Sequence, residues 1–134
     1  MSHVVIGIIT RKNSVNQTEF LLVSSKRDFG EFSGRYYPPG GHLEDGEDEQ
    51  TALIREIKEE TGLDVMPVKR IAETAADVKD QTTYWWLCDI QGGELHFQKD
   101  ELADAGWFTA EVTKRLPLWP MVEKVFTEHN LWKP

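Results

Sequence analysis

Residues 41–63 have the sequence GHLEDGEDEQTALIREIKEETGL, and this stretch decides how the rest of the chain is interpreted. Its second part predicts an α-helix from Asp48 to Thr61. Asp48 is a good N-cap, strong helix formers follow it, and Gly62 supplies a C-terminal stop. Apolar residues at helical spacing predict the face that packs on the core: Leu53, Ile54 and Ile57.

A second face of this helix carries three glutamates, Glu56, Glu59 and Glu60, within about 100° of its circumference. Like charges three and four residues apart repel by a few tenths of a kcal/mol. Glu59 and Glu60 also lie in the last turn, where the helix dipole disfavours negative charge. One explanation is a solvated acidic face whose repulsion is partly offset by Arg55. The other is a site for a hard divalent cation such as Mg²⁺, which prefers carboxylates, water and substrate phosphates as ligands.

The segment Pro38-Pro39-Gly40-Gly41 lies just ahead of the 41–63 stretch and ends on its first residue. Two adjacent glycines permit a backbone path that other residues could not follow, and they let a backbone carbonyl approach a metal or a phosphate closely. Taken alone, such a sequence is more often a simple turn. Its position ahead of an acidic helix face favours a ligand-binding loop.

The flanking segments predict a mixed β-sheet covered by helices. Short apolar and β-branched runs predict six strands, at residues 4–9, 20–23, 63–68, 82–90, 94–97 and 107–108. Gly92-Gly93 predicts a hairpin turn. Residues 26–41 form a long irregular stretch, which in a compact domain is usually functional or disordered. Residues 118–130 predict a closing helix.

The length and the charge of the chain restrict the range of possible functions further. A chain of 134 residues has the size of one domain spanning residues 1–134. Its net charge of −8 is opposite to the basic footprint of general nucleic-acid and membrane-surface binders, so DNA and membrane partners are not expected. The single cysteine, Cys88, excludes an internal disulfide and fits a reducing cytosol. No signal peptide or membrane-spanning run is recognisable, so we expect a cytoplasmic protein.

Taken together, residues 41–63 resemble the signature of the Nudix (MutT-like) hydrolases, GX5EX7REUXEEXGU, in which U is aliphatic. Gly41, Glu47 and the run from Arg55 to Leu63 fill all nine defined positions. The resemblance implies an α/β fold, an α/β/α sandwich with a mixed sheet, in which residues 41–63 (the Nudix box) form a loop–helix–loop. It also implies hydrolysis of a nucleoside diphosphate linked to another group X, with Mg²⁺ or Mn²⁺ as the cofactor.

The resemblance also implies roles for individual residues. The implied metal ligands are the carboxylates of Glu56, Glu59 and Glu60 and a backbone carbonyl of Gly40 or Gly41. Arg55 and Glu47 would orient these carboxylates by ion pairing. A carboxylate must accept the proton of the attacking water. Glu59 is one candidate for this base, and Glu101 in the acidic stretch 100–104 is another, because a distant acidic loop residue serves in some members of the family.

Four residues outside the signature are candidates for substrate binding: Lys26, Arg27, Tyr37 and Trp86. Lys26 and Arg27 follow a strand that should end near the site, where they could reach a phosphate, although a solvated surface explains them equally well. Trp86 and its neighbour Trp85 point to opposite faces of a strand. At most one of the two can therefore face the substrate, and the other packs in the core.

The favoured function is a Mg²⁺-dependent nucleoside triphosphate pyrophosphohydrolase of MutT type, which releases a nucleoside monophosphate and pyrophosphate. Hydrolysis of ADP-ribose or a nucleotide sugar is the alternative among enzymes, and it is disfavoured because no proline lies near Val78. An alternative of another class is a non-catalytic Nudix module that binds a nucleotide, RNA or a protein. Such modules usually lose the box carboxylates, all of which are present here. The expected partner is a small nucleotide, bound by a monomer or homodimer.

Overall fold

The computed structural model describes residues 2–78, 80–97 and 99–132, and in these residues a seven-stranded sheet is accompanied by three α-helices. The strands are β1 (Ser2–Lys12), β2 (Thr18–Ser25), β3 (Tyr36–Tyr37), β4 (Gly40–His42), β5 (Leu63–Ala75), β6 (Gln81–Gly93) and β7 (Leu102–Thr109). The helices are α1 (Glu49–Thr61), α2 (Ala110–Arg115) and α3 (Pro120–Glu128). The main strand order is β3-β2-β1-β6-β5, with β4 paired to β1 and β7 paired to β2.

The two strands at the centre of the sheet, β1 and β6, run parallel, and the other pairs of strands named above are antiparallel. Side chains of β1 alternate between two cores. Val5 and Ile9 pack in the core that includes α1, whereas Ile6 and Ile8 pack in the core that includes α3. Helices therefore cover both faces of the sheet, which confirms the predicted α/β/α sandwich with a mixed sheet.

Helix α1 has the ends that the sequence predicts. The Asp48 carboxylate accepts a hydrogen bond from the Thr51 backbone N–H at 2.8 Å, and Gly62 ends the helix with a left-handed φ of 79°. Gly7 on β1 makes room for the helix, because a Cβ there would come within 2.7 Å of Ile57 Cδ1. Ile57 itself is fully buried. Helix α1 is thus held closely against β1.

The predicted strand at residues 94–97 is wrong. This segment lies across the end of α1, where the His96 backbone N–H donates to the Thr61 carbonyl at 2.9 Å. The last carbonyls of a helix have no partner within the helix, so a passing backbone N–H is a favourable partner for them. Local composition could not reveal this contact, because the two residues are far apart in the sequence.

The predicted hairpin turn at Gly92-Gly93 is also wrong. Both glycines end β6 and pair with the start of β5, while the chain reverses between Ala75 and Gln81 instead. Gly93 has a φ of 84°, and a Cβ there would collide with the Gly62 carbonyl. Gly93 is needed because two backbones approach each other closely here. A glycine pair in the sequence looks the same whether it serves a close approach of this kind or a turn.

The remaining differences concern lengths. Helix α3 begins at Pro120, because proline is well suited to the first helical position and Leu118 still forms a bridge with Tyr36. The irregular stretch 26–41 contains the short strands β3 and β4 and a 3-10 helix at Gly30–Phe32. Helix α2 was not predicted, since a helix of six residues carries little periodicity.

No helix in the described ranges is long and apolar enough to cross a membrane.

Candidate active site

A cleft of about 700 Å³ opens on the α3 side of the sheet. Its floor consists of two rows of paired strand residues: Gly40, Ile6 and Trp85, and beside them His42, Val4 and Thr83. Neighbouring strands are about 4.8 Å apart, so this floor spans roughly 10 Å from β4 to β6. We call one end the carboxylate end (Gly40, Gly41, Glu56 and Glu60). We call the other the far end (Asp77, Trp85, Trp119 and Met121).

Glu60 lines the carboxylate end although only 7% of it is exposed. Its carboxylate accepts a hydrogen bond from the Gly40 backbone N–H at 3.3 Å. Burial, and then the neighbouring charge of Glu56, raise the pKa of Glu60 from its ordinary value of 4.5 to about 8. Two acids held together in this way favour a bound cation, which offsets both the burial and the repulsion.

Glu56 stands beside Glu60 in the same wall of the cleft. Burial raises the pKa of Glu56, and Arg55 opposes this effect because its Nη1 donates to the Glu56 carboxylate at 2.9 Å. Gly41 leaves space for this carboxylate, since a Cβ on Gly41 would collide with it. The backbone of β4 therefore passes directly against the acid.

Arg55 links the box loop to the helix. Its Nε and Nη2 donate to the two carboxylate oxygens of Glu47 at 2.7 and 2.8 Å, and Nη2 also donates to the His42 carbonyl at 3.3 Å. The pairing with Arg55, followed by a hydrogen bond from the Glu44 backbone N–H, lowers the pKa of Glu47 to about 2. A bidentate pair of this kind fixes the plane of the guanidinium. Arg55 thereby holds Glu56 in a defined orientation.

The third predicted glutamate, Glu59, lies outside the cleft. Its side chain is 60% exposed, and its carboxylate is 3.5 Å from Arg55 Nη1. Over residues 2–78, 80–97 and 99–132, no three His, Cys, Asp or Glu side chains are arranged to hold a metal ion. The structure thus brings two of the three glutamates together. Helical spacing fixes where Cβ points but not the rotamer, and an exposed glutamate turns to the nearest cation.

The wall opposite α1 contains the predicted substrate contacts Lys26, Arg27 and Tyr37, which all line the cleft. Tyr37 is half-buried at the end of β3, close to Glu60. Burial, and then the charge of Glu60, raise the pKa of the Tyr37 phenol. Its hydroxyl therefore stays protonated and can donate a hydrogen bond into the cleft. The three side chains form a donor-rich wall that faces the acids.

Glu101 lines the cleft, as does Asp100. The Glu101 carbonyl accepts a hydrogen bond from the Lys26 backbone N–H at 2.9 Å, which holds its loop against the end of β2. The charge of Glu101 contributes to the raised pKa of both Glu56 and Glu60, so it lies near them. Asp104, expected in the same loop, belongs to β7 and accepts a hydrogen bond from the Tyr36 hydroxyl at 2.6 Å.

Trp86 lies on the opposite face of the sheet from the cleft. Its indole N–H donates to the Glu49 carboxylate at 2.7 Å, and its ring packs on the core beneath α1. Trp85 lines the cleft instead, with its indole N–H bonded to the Thr74 hydroxyl at 3.0 Å. Strand alternation predicts that the two rings face opposite ways. Which of them faces the cleft depends on the pairing of β6 with β1.

Sequence reasoning missed most of the far end. The Asp77 carboxylate accepts a hydrogen bond from the Met121 backbone N–H at 3.1 Å, which joins the turn after β5 to the first turn of α3. Trp119 packs edge-on against Phe29, with ring centroids 5.1 Å apart. These residues come from three separate segments, and none of them belongs to a recognisable motif.

The comparisons with known proteins agree with this geometry. The model of the NUDIX domain matches residues 1–128. The chain belongs to the Nudix family. Members of the family generally use divalent metal cations, and the resemblance found in residues 41–63 is confirmed.

The relatives of this Nudix protein include the NAD-capped RNA hydrolase NudC of Haemophilus influenzae. It is 31% identical over 91 residues, which cover 68% of this chain and 34% of that protein. The putative nudix hydrolase 1 of Caenorhabditis elegans is 31% identical over 115 residues, which cover 85% of this chain and 30% of that protein. The chain spans about a third of the length of these relatives.

Solved structures confirm the Nudix fold over nearly the whole chain. A Caenorhabditis elegans Ap4A hydrolase in a binary complex superposes with a TM-score of 0.77 and 21% identity. The match covers 98% of this chain and 97% of that one. Identity at this level establishes the fold, whereas the reaction has to be argued from the residues of the cleft.

Proposed function

We propose that this Nudix protein hydrolyses nucleoside triphosphates to nucleoside monophosphates and pyrophosphate, with Mg²⁺ or Mn²⁺ as its cofactor. One observation carries the proposal: Glu56 and Glu60 line the same cleft as Lys26 and Arg27. A polyphosphate bound to a divalent cation needs oxygen ligands for the cation and cationic side chains for the remaining phosphate charge. The two walls of the cleft supply these two groups.

The donor set at the carboxylate end fits a hard divalent cation. Glu56 and Glu60 offer carboxylate oxygens next to the backbone of Gly40 and Gly41. Glu59 joins them when it leaves its exposed contact with Arg55, a pair of the kind that contributes only about 0–1 kcal/mol. When bound, such a cation neutralises phosphate oxygens, lowers the pKa of the attacking water and stabilises the departing phosphate.

The other residues of the cleft position the substrate and accept a proton. Lys26 and Arg27 bind phosphate oxygens, and the neutral Tyr37 hydroxyl donates to them from the same wall. Arg55 keeps Glu56 aligned through its pairing with Glu47. The proton of the attacking water goes to a carboxylate. Glu59 and Glu101 are the two candidates for this base, and Glu101 already lines the cleft.

The proposed setting is the cytoplasm, where nucleoside triphosphates are available. Burial raises the pKa of the Cys88 thiol, so this side chain behaves as a small apolar core residue rather than as a reactive group. The proposed active form is a monomer or a homodimer.

The test measures two products in Mg²⁺: pyrophosphate released from a panel of nucleoside triphosphates, and nucleoside monophosphate released from the same triphosphates, from ADP-ribose and from nucleotide sugars. We expect turnover of triphosphates by the wild-type protein. We expect kcat/KM to fall about 10²–10³-fold in Glu59→Gln and Glu60→Gln, a loss typical of removing one electrostatic group from an active site. Glu111→Gln is the matched control, because this glutamate is exposed on α2, and it should retain full activity.

Two outcomes would contradict the proposal. Turnover of ADP-ribose or nucleotide sugars without triphosphate hydrolysis would identify a different Nudix substrate class. Tight nucleotide binding by folded wild-type protein without any turnover in Mg²⁺ would identify a binding module instead.

A further inference from the structure

The far end of the cleft holds a carboxylate among mainly apolar side chains. Trp85, Trp119 and Met121 line this end, and the aspartate is Asp77, at the turn after β5. One Asp77 oxygen accepts the Met121 backbone N–H at 3.1 Å. This bond fixes the carboxylate between the β5–β6 turn and the start of α3. The far end thus combines a mainly apolar lining with a positioned hydrogen-bond acceptor.

The length of the cleft separates this acceptor from the acids of α1. The path from β4 across β1 and β6 to β5 crosses three strand spacings, or about 14 Å. A nucleotide that places its phosphates between Glu60 and Lys26 and spans this separation brings its base to Asp77. Apolar contacts do not depend on which base is bound, so discrimination has to come from polar groups at the base edge.

We propose that Asp77 determines the base preference of this site and selects a base whose pairing edge presents two adjacent N–H donors, as guanine does with N1–H and N2–H. The inference rests on the proposed function, because it takes the phosphates to lie at the carboxylate end. An ionised carboxylate only accepts hydrogen bonds and has about four acceptor positions, so it can serve Met121 and the base together.

The same chemistry disfavours the other bases. Adenine places the lone pair of N1 against the carboxylate, and uracil places carbonyl oxygens on both sides of its single N–H. Each of these contacts sets two acceptors against each other and leaves a desolvated charge unpaired, which is costly. Gln81, which lines the same cleft, can donate its amide to the guanine O6.

The experiment compares GTP, ITP and XTP, whose bases carry an amino group, a hydrogen and an oxygen at C2, and of which xanthine also carries a proton on N3. We expect the wild-type kcat/KM to be about tenfold or more higher for GTP than for ITP, and lowest for XTP. Asp77→Asn keeps a carbonyl oxygen for the Met121 N–H and presents an NH₂ to the base. We expect this variant to raise the XTP:GTP ratio of kcat/KM about tenfold or more.

Asp80→Asn is the matched control. It makes the same substitution at an exposed position in the same turn, and asparagine tolerates the positive φ of 60° at Asp80. We expect it to leave the order of the three nucleotides unchanged. Equal wild-type values for GTP and ITP would overturn the proposal. A uniform loss for all three nucleotides in Asp77→Asn would also overturn it, because that result indicates a purely structural role.

Calorimetric binding of GMP, IMP and XMP without metal separates this inference from the proposed function. Binding in the order GMP, IMP, XMP that shifts toward XMP in Asp77→Asn would support the base assignment even if no triphosphate were hydrolysed. Hydrolysis of triphosphates without any difference between GTP and ITP would refute the base assignment and leave the proposed reaction in place. Binding that does not discriminate among the three monophosphates would refute it as well.

Discussion

The two ends of the cleft are assembled in different ways. The carboxylate end comes from one continuous stretch, residues 40–60, and its contacts are mostly made within that stretch. They include the Gly40 N–H bond to Glu60 and the pairing of Arg55 with Glu47. The far end comes from the β5–β6 turn, β6 and the start of α3. These segments meet only in the folded chain, and one bond between them joins the Asp77 carboxylate to the Met121 N–H.

Under the proposed function, this difference separates the reaction from the recognition of the base. The carboxylate end depends on backbone geometry and on a helix held against the sheet, so disturbing it should affect every nucleotide equally. The far end depends on side chains that project from unrelated segments. Replacing one of them should alter the preference among nucleotides without altering the fold.

The largest effect is expected where helix α1, which carries the acids of the carboxylate end, packs on β1. Ile57 is fully buried against Gly7, so Ile57→Ala leaves a cavity and should reduce the free energy of unfolding by about 2–5 kcal/mol. Ile54 lies on the same helix with 42% of its surface exposed, and Ile54→Ala should cost less than about 1 kcal/mol. Urea denaturation measures both. Equal losses would show that α1 is not held by Ile57.

The next effect concerns Arg55. Arg55→Ala should lower kcat/KM about 10–100-fold, because Glu47 and Glu56 lose the group that orients them. Arg55→Lys should not restore activity, since an ammonium cannot form the bidentate pair. Arg115→Ala, at an exposed position on α2, is the control. If kcat/KM fell for one nucleotide only, the two ends would not have separate roles, because the carboxylate end would then take part in recognising the base.

A smaller effect is expected in the pH dependence of stability of the metal-free protein. Since the pKa of Glu60 is about 8 in the folded state and 4.5 ordinarily, the folded protein binds the extra proton between these values. Stability should therefore fall as pH rises from about 4.5 to about 8 and then level off. The contribution is on the order of 1–3 kcal/mol and should be absent in Glu60→Gln. Thermal unfolding in a chelator, measured across this pH range, gives the contribution. Identical pH profiles for the wild-type protein and Glu60→Gln would contradict the prediction.

The smallest effect is expected at Trp86. Trp86→Phe removes the hydrogen bond to Glu49 on the face away from the cleft, and should lower stability by about 1 kcal/mol. The KM for nucleotides should stay within about twofold of the wild-type value, because the ring does not line the cleft. A tenfold rise in KM would show that Trp86 contacts the substrate after all.

Much of the carboxylate end could be predicted because its signals are short-range. The cap at Asp48, the stop at Gly62 and the burial of Leu53 and Ile57 follow from spacing within one helix. Ile54, which was predicted to pack on the core with them, is 42% exposed. The glycine pair before the helix predicted a close backbone approach, and the structure has Gly41 against the Glu56 carboxylate. These features depend on residues that are close together in the sequence, so they can be predicted from the sequence alone.

Features that depend on distant neighbours could not be predicted. The composition of residues 94–97 predicts a strand, because nothing local indicates the bond from the His96 backbone N–H to the end of α1. The rotamer of Glu59 follows from its contact with Arg55 rather than from helical spacing. The choice of Trp85 over Trp86 as the cleft residue depends on how β6 pairs with β1.

The sequence alone determined the family, the α/β class and the helix that carries the acids, because periodicity, caps and the spacing of residues 41–63 are local properties of the chain. Only the tertiary structure decided that Glu56 and Glu60 share a cleft with Lys26, Arg27 and Glu101, and that Asp77 stands at its far end. The physical reason is that burial and electrostatic coupling arise between groups brought together by sheet pairing. The raised pKa of Glu60 is such a property, since it comes from burial and from the charge of Glu56 in the folded chain.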